Sequence, residues 1–370
     1  MVYLLSVISS LHLSFVKNKK QVLLSFLLVL YLAFLAGIVT SPHSFDTYAY
    51  QLTYSWTPAS HRYEPGYIYW SYAFYKLGIP YVVFRLTYYI SAMLVMWWAV
   101  KRFGGNLLTY FSIFAIYPFL VEITQVRNFG MIAVVALAFS FIKETSKWQW
   151  LLGFVILIIA FNFQAAGLLY LLVPFIFMLD SKLLQKIVER GYWILLILAT
   201  GIHYFIPVTI ANRLVLAAFN IVGRKQSDAF AHFGAGSSFS VAIGYFIFLG
   251  IMIYVWKYFI NRTPDLLTYR RYKILYSVLV ISVIDILLIT SAIDFERYIR
   301  DGFTLSLIAF SMYERDYINN IRIKRIFWLL MGILIIVATI IYRYWNISQD
   351  GRMQYLLYIT QFMPNINWPV

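Results

Sequence analysis

The residues best suited to chemistry fall in four short groups. Asp46-Thr-Tyr-Ala-Tyr50 follows the first long apolar stretch, and Arg62-Tyr-Glu64-Pro-Gly66 comes soon after it. Further on stand Glu122-Ile-Thr-Gln-Val-Arg127-Asn128 and Asp294-Phe-Glu296-Arg297-Tyr-Ile-Arg300-Asp301. A carboxylate can take a proton from a hydroxyl, and a guanidinium fork can hold two phosphate oxygens. Asp46 falls where the preceding helix presents its C-terminal, negative end, so the dipole gives it no structural reason to be there and it is the candidate general base. Glu64 complements the positive end of a helix opened by Pro65, and a catalytic role for it ranks second. Arg127 lies between apolar stretches too close for a true loop, so its charge must be paired or meet an anion. Glu122 is the local pairing partner; the alternative is a phosphate held jointly by Arg127 and a helix N-terminus. Arg297 and Arg300 share a helical face and could grip one diphosphate, or they could join the adjacent carboxylates in an ion-pair network.

Other polar residues offer less. Asp285 lies inside an apolar stretch and is read as a functional or partner-seeking carboxylate. His203 reads as a hydrogen-bonded core residue, and His43, His61 and His232 lack metal spacing. The absence of cysteine excludes a disulfide framework, a thiolate metal site and a thiol nucleophile. P-loop, dinucleotide, HExxH and GxSxG patterns are missing, as is Asp-x-Asp, so no cofactor and no metal is expected.

These groups sit in a chain built for lipid. Of its 370 residues 62% are hydrophobic and only 12% charged, where a soluble domain carries about a quarter. Apolar stretches fall near residues 2–16, 21–40, 79–100, 107–121, 128–142, 148–162, 166–179, 192–210, 240–256, 274–293, 303–312 and 326–342. They predict an all-α, polytopic membrane protein with about 12 transmembrane helices, arranged as one unit over 1–370 without internal repeats, with Pro174, Pro207 and Gly244 leaving broken helices open. Lys17, Lys19 and Lys20 follow the first stretch instead of preceding it, so it is read as a helix that stays and not as a signal peptide.

If those lysines are cytoplasmic, alternation puts Lys101, Lys143, Lys147, Lys182, Lys186, Lys257, Lys273 and Lys324 on the same side. The +15 net charge is therefore a topological signal, and nucleic acid is not an expected partner. The outer side is left with Lys76 and Lys225 against nine arginines: 62, 85, 127, 213, 224, 297, 300, 343 and 352. Topology selection gives no reason to prefer arginine there, whereas phosphate recognition does. The long connections 41–78 and 211–239, the cluster 293–301 and the tail 343–370 are also outer, which places the working surface there. Donors activated by nucleotides are absent from that face of a bacterial membrane; lipid-linked donors are present. The 31 tyrosines and 11 tryptophans exceed what interfacial belts need, and such rings stack on sugars.

Asp46 with Tyr48 and Tyr50, then Glu64-Pro-Gly66, then Gln125-Val-Arg127-Asn128 running into an Ala-rich helix, and finally Glu296-Arg297-Tyr298 together resemble the EpsG-like membrane proteins of bacterial exopolysaccharide, capsule and O-antigen loci, regarded as Wzy-type polymerases. Asn128 stands where Gln is expected, and Gln164 where the family often has His. The resemblance implies a membrane glycosyltransferase of GT-C-like architecture in the bacterial cytoplasmic (inner) membrane, active on its outer face. It would join oligosaccharide units carried on undecaprenyl diphosphate, among membrane lipids and alongside a flippase and a chain-length regulator. Arg127, Arg297 and Arg300 would hold the diphosphate, Asp46 or Glu64 would take the proton, and Tyr48, Tyr50, Tyr63, Tyr67 and Gln164 would line the sugar groove. The rival readings are a transferase using polyprenyl monophosphate sugars, a flippase or transporter and, last, an O-acyltransferase.

Overall fold

The computed structural model describes residues 2–14, 20–38, 45–60, 63–205, 239–261, 263, 265–289 and 293–317. The expectations for 326–342, for most of 211–239, for the tail 343–370, and for His43, His61, Arg62, Arg213, Arg224, His232, Arg343 and Arg352 lie outside the described residues. So does the side chain of His203.

The described elements are all helical: α1 (Val2–Ser14), α2 (Gln21–Ile38), α3 (Phe45–Leu52), α4 (Pro65–Lys76), α5 (Tyr81–Phe103), α6 (Leu107–Ile116), α7 (Phe119–Glu122), α8 (Val126–Ile142), α9 (Lys147–Phe163), α10 (Gly167–Tyr170), α11 (Val173–Met178), α12 (Ser181–Phe205), α13 (Phe239–Ile260), α14 (Leu266–Ile289) and α15 (Arg297–Tyr317), with 3-10 turns at Pro58–Ser60 and Ile293–Glu296. Among the described residues, α2, α5, most of α13 and α14 are long and apolar enough to cross a membrane, and α6, α8, α9 and the stretch Gly167–Met178 are shorter apolar helices. The chain is a membrane protein, helical throughout its described elements.

Two expectations change. The connection 41–78 is not an open loop ahead of the helix expected at Pro65, because besides that helix, α4, its described part holds α3 and a 3-10 turn. Pro65 has the fixed φ that suits a first helical position, and the aromatic residues pack on α5, with Tyr54 5.4 Å from Phe84 and Trp70 5.1 Å from Tyr88. The stretches 107–121 and 166–179 are not continuous helices either. The first stops at Ile116 ahead of Pro118, which has no N–H to continue the ladder, and the second splits into α10 and α11.

The chain forms two compact units, Met1–Leu172 with Leu307–Val370, and Val173–Ser306. In the first unit, α5 packs on both α2 and α8, and α9 packs on α8. At one end of these helices Arg102 donates to Ser140 Oγ at 3.0 Å and lies 3.8 Å from the Phe141 ring, while Lys143 lies 5.7 Å from Phe103. Lys101, Lys143 and Lys147, three of the lysines that the charge pattern assigned to one side, stand at this end. Asn106 caps α6 there, accepting from Leu108 N and Thr109 N, and its amide donates to Glu314 at 2.8 Å. The opposite end holds the start of α8, the end of α9 and the start of α4.

In the second unit α14 packs against α11, α12 and α13. Asp180 accepts from Lys182 N and Leu183 N ahead of α12, and Asp265 from Thr268 N ahead of α14. These backbone bonds hold both carboxyls below their ordinary range.

Candidate functional site

Three segments remote in sequence meet around one guanidinium at the end of the first unit opposite the lysines. Arg127 is the second residue of α8. Its Nη1 pairs with Glu64 Oε2, and its Nε donates to the Tyr50 hydroxyl at 3.1 Å. Its Cζ lies 4.3 Å from the Tyr63 ring centre and 5.6 Å from that of Tyr50. Arg127 and Glu64 keep 18% and 13% of their side-chain exposure, so the pair is reachable from outside the protein. Helix polarity adds partial positive charge at this point.

Glu64 is the N-cap residue of α4, as its neighbour Pro65 suggested, but its side chain makes no capping bond. Its second oxygen instead accepts from Ala165 N at 2.8 Å, just past α9. Gly66 permits this approach, since a Cβ there would lie 2.8 Å from the Asn162 carbonyl oxygen. One carboxylate thus ties α4, α8 and the end of α9 together.

Tyrosines wall the site. Tyr50 lies 5.4 Å from Tyr63 and 5.5 Å from Tyr67, and Tyr63 lies 5.7 Å from Tyr67. Tyr67 is only 2% exposed and Tyr50 8%, so these two present almost no ring surface to a sugar. Burial pushes the Tyr50 hydroxyl above its ordinary pKa; Arg127 opposes that shift and Asp46 adds to it. Tyr48 lies apart from the cluster, half exposed on α3. Gln164 ends α9 beside Ala165, is 6% exposed, and its Oε1 makes no hydrogen bond among the described residues.

Several sequence arguments need correction. Asp46 does not stand at the negative end of a helix: it occupies the first turn of α3, where the dipole favours a carboxylate. It lies one helical turn before Tyr50, so its place beside the site holds although the reason given for it does not. Glu122 is not the partner of Arg127. It is buried and accepts from Asn128 Nδ2 at 3.3 Å.

The excess of outer arginines also has a partly structural cause. Arg85, wholly buried in α5, donates to the carbonyls of Ala36 at 3.0 Å and Ile123 at 2.7 Å, the ends of α2 and α7. An arginine four residues inside an apolar helix was a readable signal for such a clamp. In the second unit Arg300 is also wholly buried, paired with Glu296 one turn earlier. Its guanidinium faces protein, so the network reading describes it and the diphosphate grip does not. Arg297 is half-buried and keeps surface for a ligand. Asp285 is buried in α14 within electrostatic reach of Arg297 and Asp301. Among the described residues no three His, Asp or Glu side chains are grouped to hold a metal ion.

No curated protein and no solved structure matches the chain. The model of a family of polysaccharide polymerase-like membrane proteins does match, from residue 22 to residue 360, and it covers every residue of the site described above. The chain therefore belongs to the EpsG family.

Proposed function

We propose that the protein is a metal-independent membrane glycosyltransferase of GT-C-like architecture that polymerises oligosaccharide units carried on undecaprenyl diphosphate, on the outer face of the bacterial cytoplasmic membrane. The observation that carries this reading is the largely buried but still reachable Arg127 at the positive end of α8, held by Glu64, Tyr50 and Tyr63. A hydroxyl of the incoming unit attacks the anomeric carbon of the growing chain. The carbon–oxygen bond to the diphosphate breaks, and Arg127 stabilises the charge left on the phosphate oxygen. Asp46 takes the hydroxyl's proton. Glu64, bound on both oxygens, is the weaker base and serves to aim Arg127.

The test is reconstitution. Purified protein in vesicles with lipid-linked repeat units, without nucleotide sugar and with a chelator, should give a ladder of lengthening products. A ladder that disappears with chelator favours a metal-using transferase. The interrupted helices α6–α7 and α10–α11 favour a second reading, transport of the lipid-linked unit. Labelled lipid that changes leaflet without any ladder would establish it. Outward orientation is checked by a cysteine at the exposed Tyr48, which should react with an impermeant maleimide in this cysteine-free chain.

A further inference from the structure

Tyr50 is held in a way that stacking on a sugar does not explain. Its ring is 8% exposed and flanked by the rings of Tyr63 and Tyr67 and by the Arg127 guanidinium. Its hydroxyl accepts the Arg127 Nε hydrogen at 3.1 Å. A phenol that accepts from arginine keeps one proton to donate. Among the described residues no group accepts it. The Nη2 of Arg127 likewise makes no hydrogen bond among the described residues. Two donors on bonded neighbours are therefore left over at the N-terminal turn of a 17-residue helix, and both are fixed in place by Glu64 and Tyr63.

From this geometry we infer that Tyr50 is a catalytic hydrogen-bond donor to the oxyanion of the departing diphosphate, acting beside Arg127, and not a platform for sugar. The inference rests on the polymerase reading of the same site. As the glycosidic carbon–oxygen bond breaks, its electron pair stays on the phosphate oxygen. Tyr50 shares that charge through its hydrogen bond without giving up its proton, and the proton of the attacking hydroxyl goes to Asp46. Burial favours the protonated phenol, so the donor persists across the neutral range.

The discriminating variant is Tyr50→Phe, which keeps the ring and removes only the hydroxyl. In vesicles with lipid-linked repeat units, kcat should fall about 10- to 100-fold, as expected for a hydrogen bond to a charged group, with KM little changed. The loss should be the same from about pH 6 to about pH 9, since an untitrated phenol is what is removed. The thermal midpoint of the full-length protein should fall only slightly, by the loss of the single hydrogen bond from Arg127 Nε. Inorganic pyrophosphate, titrated without any polymerisation, should bind Tyr50→Phe about tenfold more weakly. Wild-type kcat and pyrophosphate affinity in Tyr50→Phe, with loss only in Tyr50→Leu, would overturn the inference and leave the polymerase reading intact. Pyrophosphate binding that depends on the Tyr50 hydroxyl, in a protein that builds no chain, would uphold the donor and overturn the polymerase.

Discussion

Two arginine–glutamate pairs in this protein use the same chemical groups for different ends. Arg300 and Glu296 are four residues apart on one turn, and 0% and 2% exposed. Arg127 and Glu64 are 63 residues apart in sequence, come from different helices, and keep 18% and 13% exposure. The first pair is closed off by protein on all sides and works as structure. The second leaves donors without an acceptor among the described residues, beside a helix N-terminus and in a collar of tyrosines, where an anion can arrive. Charge identity alone does not make a site; unspent hydrogen-bonding capacity at an accessible place does.

The largest effect that can break this comparison is on folding. Arg300→Ala should leave Glu296 as an uncompensated buried charge and cost roughly 3–5 kcal/mol. Little folded protein should be recovered from membranes, and what remains should have a lowered thermal midpoint. Normal yield and midpoint for Arg300→Ala would remove the distinction between the pairs.

Next in size is the proposed base. Asp46→Asn should reduce turnover by about 10²- to 10⁴-fold, the usual range for a lost general base, while the lipid-linked unit still binds. Binding and turnover measured on the same preparation decide it: equal loss of both would make Asp46 a binding residue, and retained turnover would leave it as a first-turn helix residue of α3.

A smaller effect is expected at Glu64. Glu64→Gln keeps an acceptor for Ala165 N but removes the charge that holds Arg127, so kcat should fall by about tenfold, at the scale of one charge-assisted hydrogen bond. A loss as large as that of Asp46→Asn would move the base to Glu64. An unchanged kcat would show that Tyr50 and Tyr63 alone suffice to aim the guanidinium.

Much of the fold was readable in advance because apolar length and lysine placement are local or additive signals. Helices α2, α5, α8, α9 and α13 fall within about four residues of their apolar stretches, α14 begins well before its own, and Lys101, Lys143 and Lys147 stand at one end of α5, α8 and α9. The helix opened by Pro65 was expected and is α4, whereas α3 and the 3-10 turn were missed because tyrosine and tryptophan at interfacial positions look the same in a loop as in a packed helix. In the site, Arg127, Glu64, Tyr50 and Tyr63 were singled out by type and position. Their pairing was not, because Glu122 is five residues from Arg127 in sequence whereas Glu64 reaches it only once α4, α8 and α9 have packed. The Ala165 N–H was invisible for a plainer reason: every residue except proline has one.

The central claim is that Arg127 works on a diphosphate and is not merely an ion-pair partner of Glu64. The direct measurement compares wild type and Arg127→Lys in the same vesicles, with lipid-linked repeat units as the only sugar source. Lysine preserves the charge opposite Glu64 but has neither the fork nor the stacking plane over Tyr63. The account predicts normal insertion and thermal midpoint with chain growth reduced at least about a hundredfold, in line with the loss of a preorganised oxyanion donor. A product ladder of wild-type length and rate from Arg127→Lys would contradict it.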